Sequence, residues 1–377
     1  MIHSTSKVRV ALLFGGRSGE HAISCVTAGS VLGAIDRQRF EPIPVGITKA
    51  GRLVLAPDDP ARWRLGQDTL PQLDDAGPEV LLPSSTQSAA WRVVDPASGV
   101  VTSLGVVDVA FPLLHGPYGE DGTIQGALEL LDIAYVGSGT LASAIGMDKE
   151  VAKAIFAAHG LPVASSVLVT PQLWAAGQTA LTEQIAALGW PVFVKPSRAG
   201  SSLGVSKVAG LAELAPALEL AWQCDPRVLV EQAQVGREIE CAVLGGRGGA
   251  PARAAGPAEI VIHPEHQFYS FEAKYLDTAA ADLQCPANLP TAVAARVRRL
   301  AIRAFEAIEA EGLSRVDFFY NPDAPAGQDL VVNEINTMPG FTPISLYPRM
   351  WAAAGLDYSA LISELIDLAL ERPLGLR

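Results

Sequence analysis

Little in the 377 residues points to a disulfide, a membrane span or a polyanionic partner. There are four cysteines, Cys25, Cys224, Cys241 and Cys285, and no CxxC pair. That spacing excludes a zinc motif and a disulfide framework, and it fits a reducing compartment. No apolar run reaches 18 residues, so no transmembrane helix is expected. The opening stretch MIHSTSKVRVALLFGG has too short an apolar segment for a secretory leader, which makes a cytoplasmic location the expectation. A surplus of basic residues is also missing. The net charge is -12 and the pI near 5.0, which argues against nucleic acid or an anionic membrane as the main partner. No repeat of 20–50 residues and no low-complexity tract is present. Two nucleotide signatures are absent as well. The glycines after the first apolar run fall at 15, 16 and 19, not as GxGxxG, and no GxxxxGK[ST] loop occurs.

What is present is a globular composition, 49% hydrophobic and 18% charged, long enough for two or three domains. VRVALLF reads as a buried parallel strand, HAISCVTAGSVLGAI as a helix and FEPIPVGIT as a second strand, together a βαβ unit. Residues 51–105 are rich in turn formers and read as an insertion with short strands. VVDVAFPLLHG and GTIQGALELLD give another strand and helix. After Gly137 the order is a helix (TLASAIGMDKEVAKAIFAAHG), two strands around an alanine-rich helix, a glycine-serine loop, and another helix. RVLVEQA opens a third region of strands, with one long helix, a polar loop running to Cys285 and a closing amphipathic helix.

The chemistry concentrates at strand ends. In VVNEINTMPGFTP, Glu334 and Asn336 are two apart and so face the same side of a strand. SRVDFFY carries a lone carboxylate, Asp317, and antiparallel pairing would set it beside Glu334. Two carboxylates and an amide oxygen suit Mg²⁺ with nucleotide phosphates. Either strand alone could equally carry solvated end residues. In VFVKPSRAGSSLGV, Lys195 ends a strand, and Gly200, Ser201, Ser202 and Gly204 offer a phosphate-wrapping loop or, more plainly, a surface turn. Lys149 begins a helix, where a phosphate would gain from the dipole, although such lysines are often only solvated. Glu20 and His21 stand at the first strand's mouth, as ligand contacts or helix caps. His115 enters a glycine-rich loop from a strand end, as a ligand group or a structural histidine. HPEHQFYSFEAKYLD is long, polar and aperiodic, which suits a lid or linker, with Lys274 and Tyr275 as candidate contacts.

Taken in order, GGRSGEHAIS, HGPYGEDGTIQGALE, GMDK, VKPSRAGSSLGV, FYSFEAKY, RVDFFY and NEINTMPGFTPISLYP resemble the D-alanine–D-alanine ligase family of ATP-grasp enzymes. The resemblance runs from Leu13 to Pro348 and leaves out only the turn-rich segment. It implies an α/β chain with α+β character in the ATP-binding part: an ATP-grasp fold behind an N-terminal parallel-sheet, Rossmann-like domain. The implied units are residues 1–137, with the insertion near 51–105, then 138–230, then 231–377 with a polar lid loop near 263–285. The implied reaction is ATP-dependent joining of two D-alanines through an acyl phosphate. D-lactate or D-serine is the alternative acceptor.

Carried over by position, the resemblance gives Lys149 and Lys195 to the ATP phosphates, with the loop around Ser201 and Ser202 closing over them. Glu231 takes the adenine amino group, with backbone from Gln232, Ala233 and Gln234 beside it, and Glu238 takes the ribose. Asp317, Glu334 and Asn336 hold two Mg²⁺ or Mn²⁺ ions; a monovalent cation is a further option. Glu20 binds the first substrate's ammonium, with His115 near its carboxylate. Arg315 and the Gly340 N–H stabilise the oxyanion, and Ser345 and Lys274 hold the second substrate's carboxylate. Tyr275 reaches toward Ser201 and Glu20 and favours an amine acceptor. A homodimer through the N-terminal domain is implied, with neither nucleic acid nor membrane as partner. Two positions depart from the family pattern: Ala22 replaces a frequent acid, and Gln232 a frequent lysine.

Overall fold

The strand Val8–Gly15 is apolar at nearly every position because both of its faces are covered. Val10, Leu12 and Phe14 point into one core, and Ala11 and Leu13 into another. It pairs in parallel with Phe40–Ile47 on one side and Val109–Pro112 on the other. The helix His21–Ala34 lies on the first face, adding Cys25, Ala28, Val31 and Leu32. This computed structural model describes residues 7–65, 70–200, 202–263, 281–325 and 327–373.

Residues 51–105 belong to the same sheet. Leu53–Leu55, Glu79–Leu81, Ala90–Val94 and Val101–Val106 add to the edge at Phe40–Ile47 one after another, all antiparallel, giving seven strands. The stretch read as an insertion is therefore a meander that widens the sheet. Val80 and Trp91 anchor it in the second core, and Trp63 joins the first.

A second sheet is wholly antiparallel, in the order Ser206–Val208, Val192–Pro196, Val228–Gln232, Ser166–Val169. The helices Pro171–Ala187 and Leu211–Trp222 cover it. Its strand Val228–Gln232 crosses the expected unit limit at 230, so the sheet ends two residues later. A third antiparallel sheet runs Ala281–Gln284, Arg253–Ile262, Arg237–Leu244, Leu313–Tyr320, Leu330–Asn336. One of its faces is packed by the long helix Thr291–Ala307.

The helix expected over GMDKEVAK divides in two, Thr140–Met147 and Lys149–Ala158. Asp148 makes the break, because its side chain accepts hydrogen bonds from the N–H groups of Glu150 and Val151 and so caps the second helix. Ala142, Ala152 and Phe156 of this pair share the core of the third sheet. At the far end of the chain, Leu361, Ile362, Leu365 and Ile366 of Tyr358–Glu371 enter the core of the first sheet. Among the described residues no helix is long and apolar enough to cross a membrane.

Candidate active site

The third sheet supplies the floor of the site by simple alternation. In Leu313–Tyr320, Val316, Phe318 and Tyr320 turn into the core, which sends Arg315, Asp317 and Phe319 to the opposite face. In Leu330–Asn336, Glu334 and Asn336 lie on that same face. The register sets Asp317 directly opposite Glu334 and Arg315 opposite Asn336, as the two motifs suggested. A bulge follows between Asp317 and Phe318, where Asn333 is the extra residue. From the other neighbouring strand, Glu240 stands opposite Asp317.

Every described residue to which the resemblance gives a role lines one cleft of about 730 Å³, whereas His21 and Gly204 do not. Glu20 and His115 stand at one end, Glu231 to Gln234 and Glu238 at the other, with Lys149, Lys195, Ser202, Arg315, Asp317, Glu334, Asn336, Gly340 and Ser345 between. Ser201, Lys274 and Tyr275 lie outside the described residues.

Each carboxylate of the central pair is held by a cation of the chain itself. Arg315 donates from Nε and Nη2 to the two oxygens of Asp317, both at 2.7 Å, and its Nε lies 3.1 Å from Glu240. Burial works against the Arg315 charge, but Asp317 and Glu240 outweigh it and hold the guanidinium well above its usual range. Asn336 Nδ2 donates to Asp317 at 3.0 Å. Lys149 Nζ sits 3.3 Å from Glu334 and donates to the Ala199 carbonyl at 2.9 Å, which ties the helix start to the glycine-serine loop. Two carboxylates and an amide oxygen on one face form a hard-oxygen set that fits Mg²⁺ or Mn²⁺. Among the described residues no three His, Cys, Asp or Glu side chains gather around one point, so phosphate oxygens would have to complete the coordination.

At the far end, Glu231 is buried between two lysines. Lys195 and Lys153 each approach one of its oxygens at 2.5 Å. Burial pushes the Glu231 carboxyl up, but Lys195 and Lys153 outweigh it and hold it down at about 2. Burial likewise lowers the Lys195 ammonium, and Glu231 more than reverses that. For Lys153 burial dominates and the shift is downward, against the pull of Glu231.

At the near end, the Glu20 side chain makes no capping hydrogen bond to its helix, although the residue occupies the N-cap position. His21 is buried, its Nδ1 2.7 Å from the Gly16 carbonyl, so it is a structural group. His115 is buried with Nε2 3.2 Å from Thr27 Oγ1; burial pushes its pKa down, against the pull of Glu20. Glu120 accepts from the Gly116 N–H at 2.5 Å, and burial followed by the charge of Glu20 pushes its carboxyl up to about 8. Gly116 has φ of 73°, where an L side chain is strained, and a Cβ there would lie 2.8 Å from a Glu20 oxygen and push it aside. Ser345 Oγ lies 2.8 Å from Thr342 Oγ1 and faces Gly340.

Three groups of this site were missed as individuals in the sequence: Glu120, Lys153 and Glu240. Glu120 lay within the quoted HGPYGEDG stretch, and Glu240 alternates with Glu238 in REIEC, which is a usable signal. Lys153 falls four residues after Lys149 on the same helical face, and nothing local says that it is buried.

The comparisons agree over the whole length. The family described as "D-ala D-ala ligase N-terminus" matches residues 9–138, and "D-ala D-ala ligase C-terminus" matches 155–367. A D-alanine--D-alanine ligase of Arthrobacter sp. (strain FB24) is 54% identical over 99% of this chain and 96% of its own. Its counterpart in Kineococcus radiotolerans is 52% identical over 99% of this chain and 100% of its own. Among solved structures, the D-alanine-D-alanine ligase from Coxiella burnetii superposes with a TM-score of 0.80 at 32% identity, covering 97% of this chain and 94% of the other. The VanG D-Ala:D-Ser ligase from Enterococcus faecalis gives the same TM-score and identity over 97% of this chain and 100% of its own.

Proposed function

The chain belongs to the D-alanine–D-alanine ligase family, and from that premise we propose how its own residues carry the reaction. The enzyme is an ATP-dependent ligase of the ATP-grasp fold that joins two D-alanines for peptidoglycan synthesis. A carboxylate is a poor acylating agent, and transfer of a phosphoryl group to the first D-alanine makes an acyl phosphate with a good leaving group. The charge that moves in this transfer meets Lys149, Lys195 and Arg315, which all line the cleft. Asp317, Glu334 and Asn336 hold divalent metal, which when bound supplies further positive charge to the phosphate oxygens. Those carboxylates also pair with Lys149 and Arg315, so an ion held there would share them with the two cations that face the substrate.

Glu20 takes the ammonium of the first D-alanine and His115 stays neutral beside its carboxylate. Ser345, with Lys274, positions the second D-alanine so that its amine faces the acyl carbon. Arg315 and the Gly340 N–H receive the oxyanion. The loops bearing Ser201 and Tyr275 close over the site and protect the acyl phosphate from water. Glu231, the backbone of Gln232 to Gln234, and Glu238 hold the nucleoside. Three units, the seven-stranded sheet and the two antiparallel ones, contribute to one site. The family also implies a homodimer through the N-terminal unit and a cytoplasmic setting. The acidic net charge supports neither nucleic acid nor an anionic membrane as partner.

One observation carries this reading: the Asp317–Glu334 pair sits in register, with phosphate-binding lysines on one side and the Glu20–His115 end on the other, in a single cleft. The test is phosphate release from ATP with D-alanine, D-serine or D-lactate as acceptor, and mass analysis of the product. The expected product is the D-alanine dipeptide. Phosphate release that ignores D-alanine, or a product dominated by D-serine or D-lactate in an equal mixture, overturns it.

A further inference from the structure

Glu231 has an ammonium at 2.5 Å from each of its oxygens. The two lysines reach it from different places. Lys195 belongs to the strand Val192–Pro196 and lines the cleft with Glu231. Lys153 belongs to the helix Lys149–Ala158, lies behind the carboxylate outside the cleft lining, and has a side chain only 5% exposed. Both oxygens lie against an ammonium, so an incoming amino group competes with Lys195 for the remaining lone pairs of the carboxylate. Lys195 is the one with a path to the phosphates. Lys153 has no exit except by unpacking its helix, whose neighbours Ala152 and Phe156 are core residues.

Resting on the assignment of Glu231 to the adenine amino group, we propose that Lys153 is a positioning residue, the permanent counter-ion that keeps Glu231 an acceptor for that amino group while Lys195 moves to the triphosphate. The physics is a competition for one negative charge. A buried carboxylate left without any partner would be costly, so if Lys153 were absent Glu231 would retain Lys195. The base would then lose its acceptor, and the phosphates would lose a cation. The first loss depends on the base. A 6-amino purine donates to a carboxylate, whereas a 6-oxo purine turns lone pairs toward it and is repelled. Lys153 therefore contributes to the choice of purine without touching it. A lysine that merely filled space would affect both purines alike.

The experiment compares ATP with inosine triphosphate in the full-length enzyme and in K153M, K153R, E231Q and the K153M/E231Q double variant. Dissociation constants and steady-state kinetics are measured with D-alanine. For K153M the ATP dissociation constant is expected to rise about tenfold, with the preference for ATP over inosine triphosphate falling about fivefold. kcat at saturating ATP falls as well, because Lys195 retained by Glu231 is withdrawn from the phosphates, and K153R restores the preference to within about twofold. In the E231Q background K153M changes the preference no further, because the two groups act as one unit. Equal weakening of both nucleotides by K153M overturns the proposal. If E231Q leaves the preference at the parent value, it is the adenine assignment that falls, and the role of Lys153 with it. Should thermal melting show K153M unfolded, K153Q replaces it with the same two outcomes.

Discussion

Glu120 and Glu231 are glutamates enclosed in one cleft, and their protonation goes in opposite directions. Burial and then the neighbouring carboxylate Glu20 push the Glu120 carboxyl up to about 8, against backbone hydrogen bonds from Gly116 and Met338. Glu231 is more fully covered, yet two ammoniums at 2.5 Å hold it down at about 2. Burial by itself raises both. What separates them is which charges the fold places next to each. Around Glu20 the shifts favour the neutral forms of Glu120 and His115, while Glu231 keeps its negative charge between Lys153 and Lys195.

The contrast can be broken most severely from the cationic side. Lys195→Met removes the exchangeable ammonium, and kcat/KM for ATP should fall roughly 10²–10³-fold, read as phosphate release with D-alanine. Loss of less than a factor of three would deny Lys195 a place on the phosphates.

The second test concerns Glu120. A carboxyl raised from 4.5 to about 8 binds its proton more tightly folded than unfolded. Its contribution to stability is therefore complete below about pH 4.5 and is lost as the pH rises toward 8. Urea unfolding of the parent should lose up to about 1.4 kcal/mol per pH unit across that window from this group, and Glu120→Gln should remove that slope. Glu231 has the reverse sign: its contribution is present above about pH 4.5 and is lost as the pH falls toward 2. Identical pH–stability curves for Glu120→Gln and parent would place Glu120 among ordinary ionised carboxylates.

The smallest effect is expected where charge pairs face water. Arg247 bridges Asp367 and Glu371 with its side chain 44% exposed. Arg247→Ala should cost no more than about 1 kcal/mol by thermal or urea unfolding, and less at high salt. A larger loss would mean that enclosure is not what sets the value of these pairs.

Legibility in the sequence followed the range of the signal. The pairing of Asp317 with Glu334 was readable because alternation fixes the face and two adjacent strands fix the neighbour. Lys195 and Lys149 were readable because each stands at the end of a regular element. Short strands were readable at GRLVLA and AWRVVD, where 53–55 and 90–94 lie, but the strand at 79–81 is three residues long, too short to show a period, and nothing local says that these strands extend the first sheet. Lys153 was hidden for a different reason. On the helix it has the look of a solvated lysine, and its burial comes from a carboxylate 78 positions later, on another sheet. Glu240 was visible as a polar position, but its partner Arg315 is fixed only by the pairing of Arg237–Leu244 with Leu313–Tyr320. The helix break at Asp148 was missed because apolar spacing continues through it, while the cap that makes the break is a local hydrogen bond.

The helix Tyr358–Glu371 gives the ribosome an ordering problem. The first sheet is synthesised well before Tyr358–Glu371, whose side chains finish one of its faces. Until they emerge, Phe14 and Phe111 lack part of their cover, so the opening third of the polypeptide has a greasy surface waiting for its own tail. Cutting the gene near codon 137 would yield a fragment prone to clumping, and the three lobes are best regarded as one folding partnership closed by its final helix.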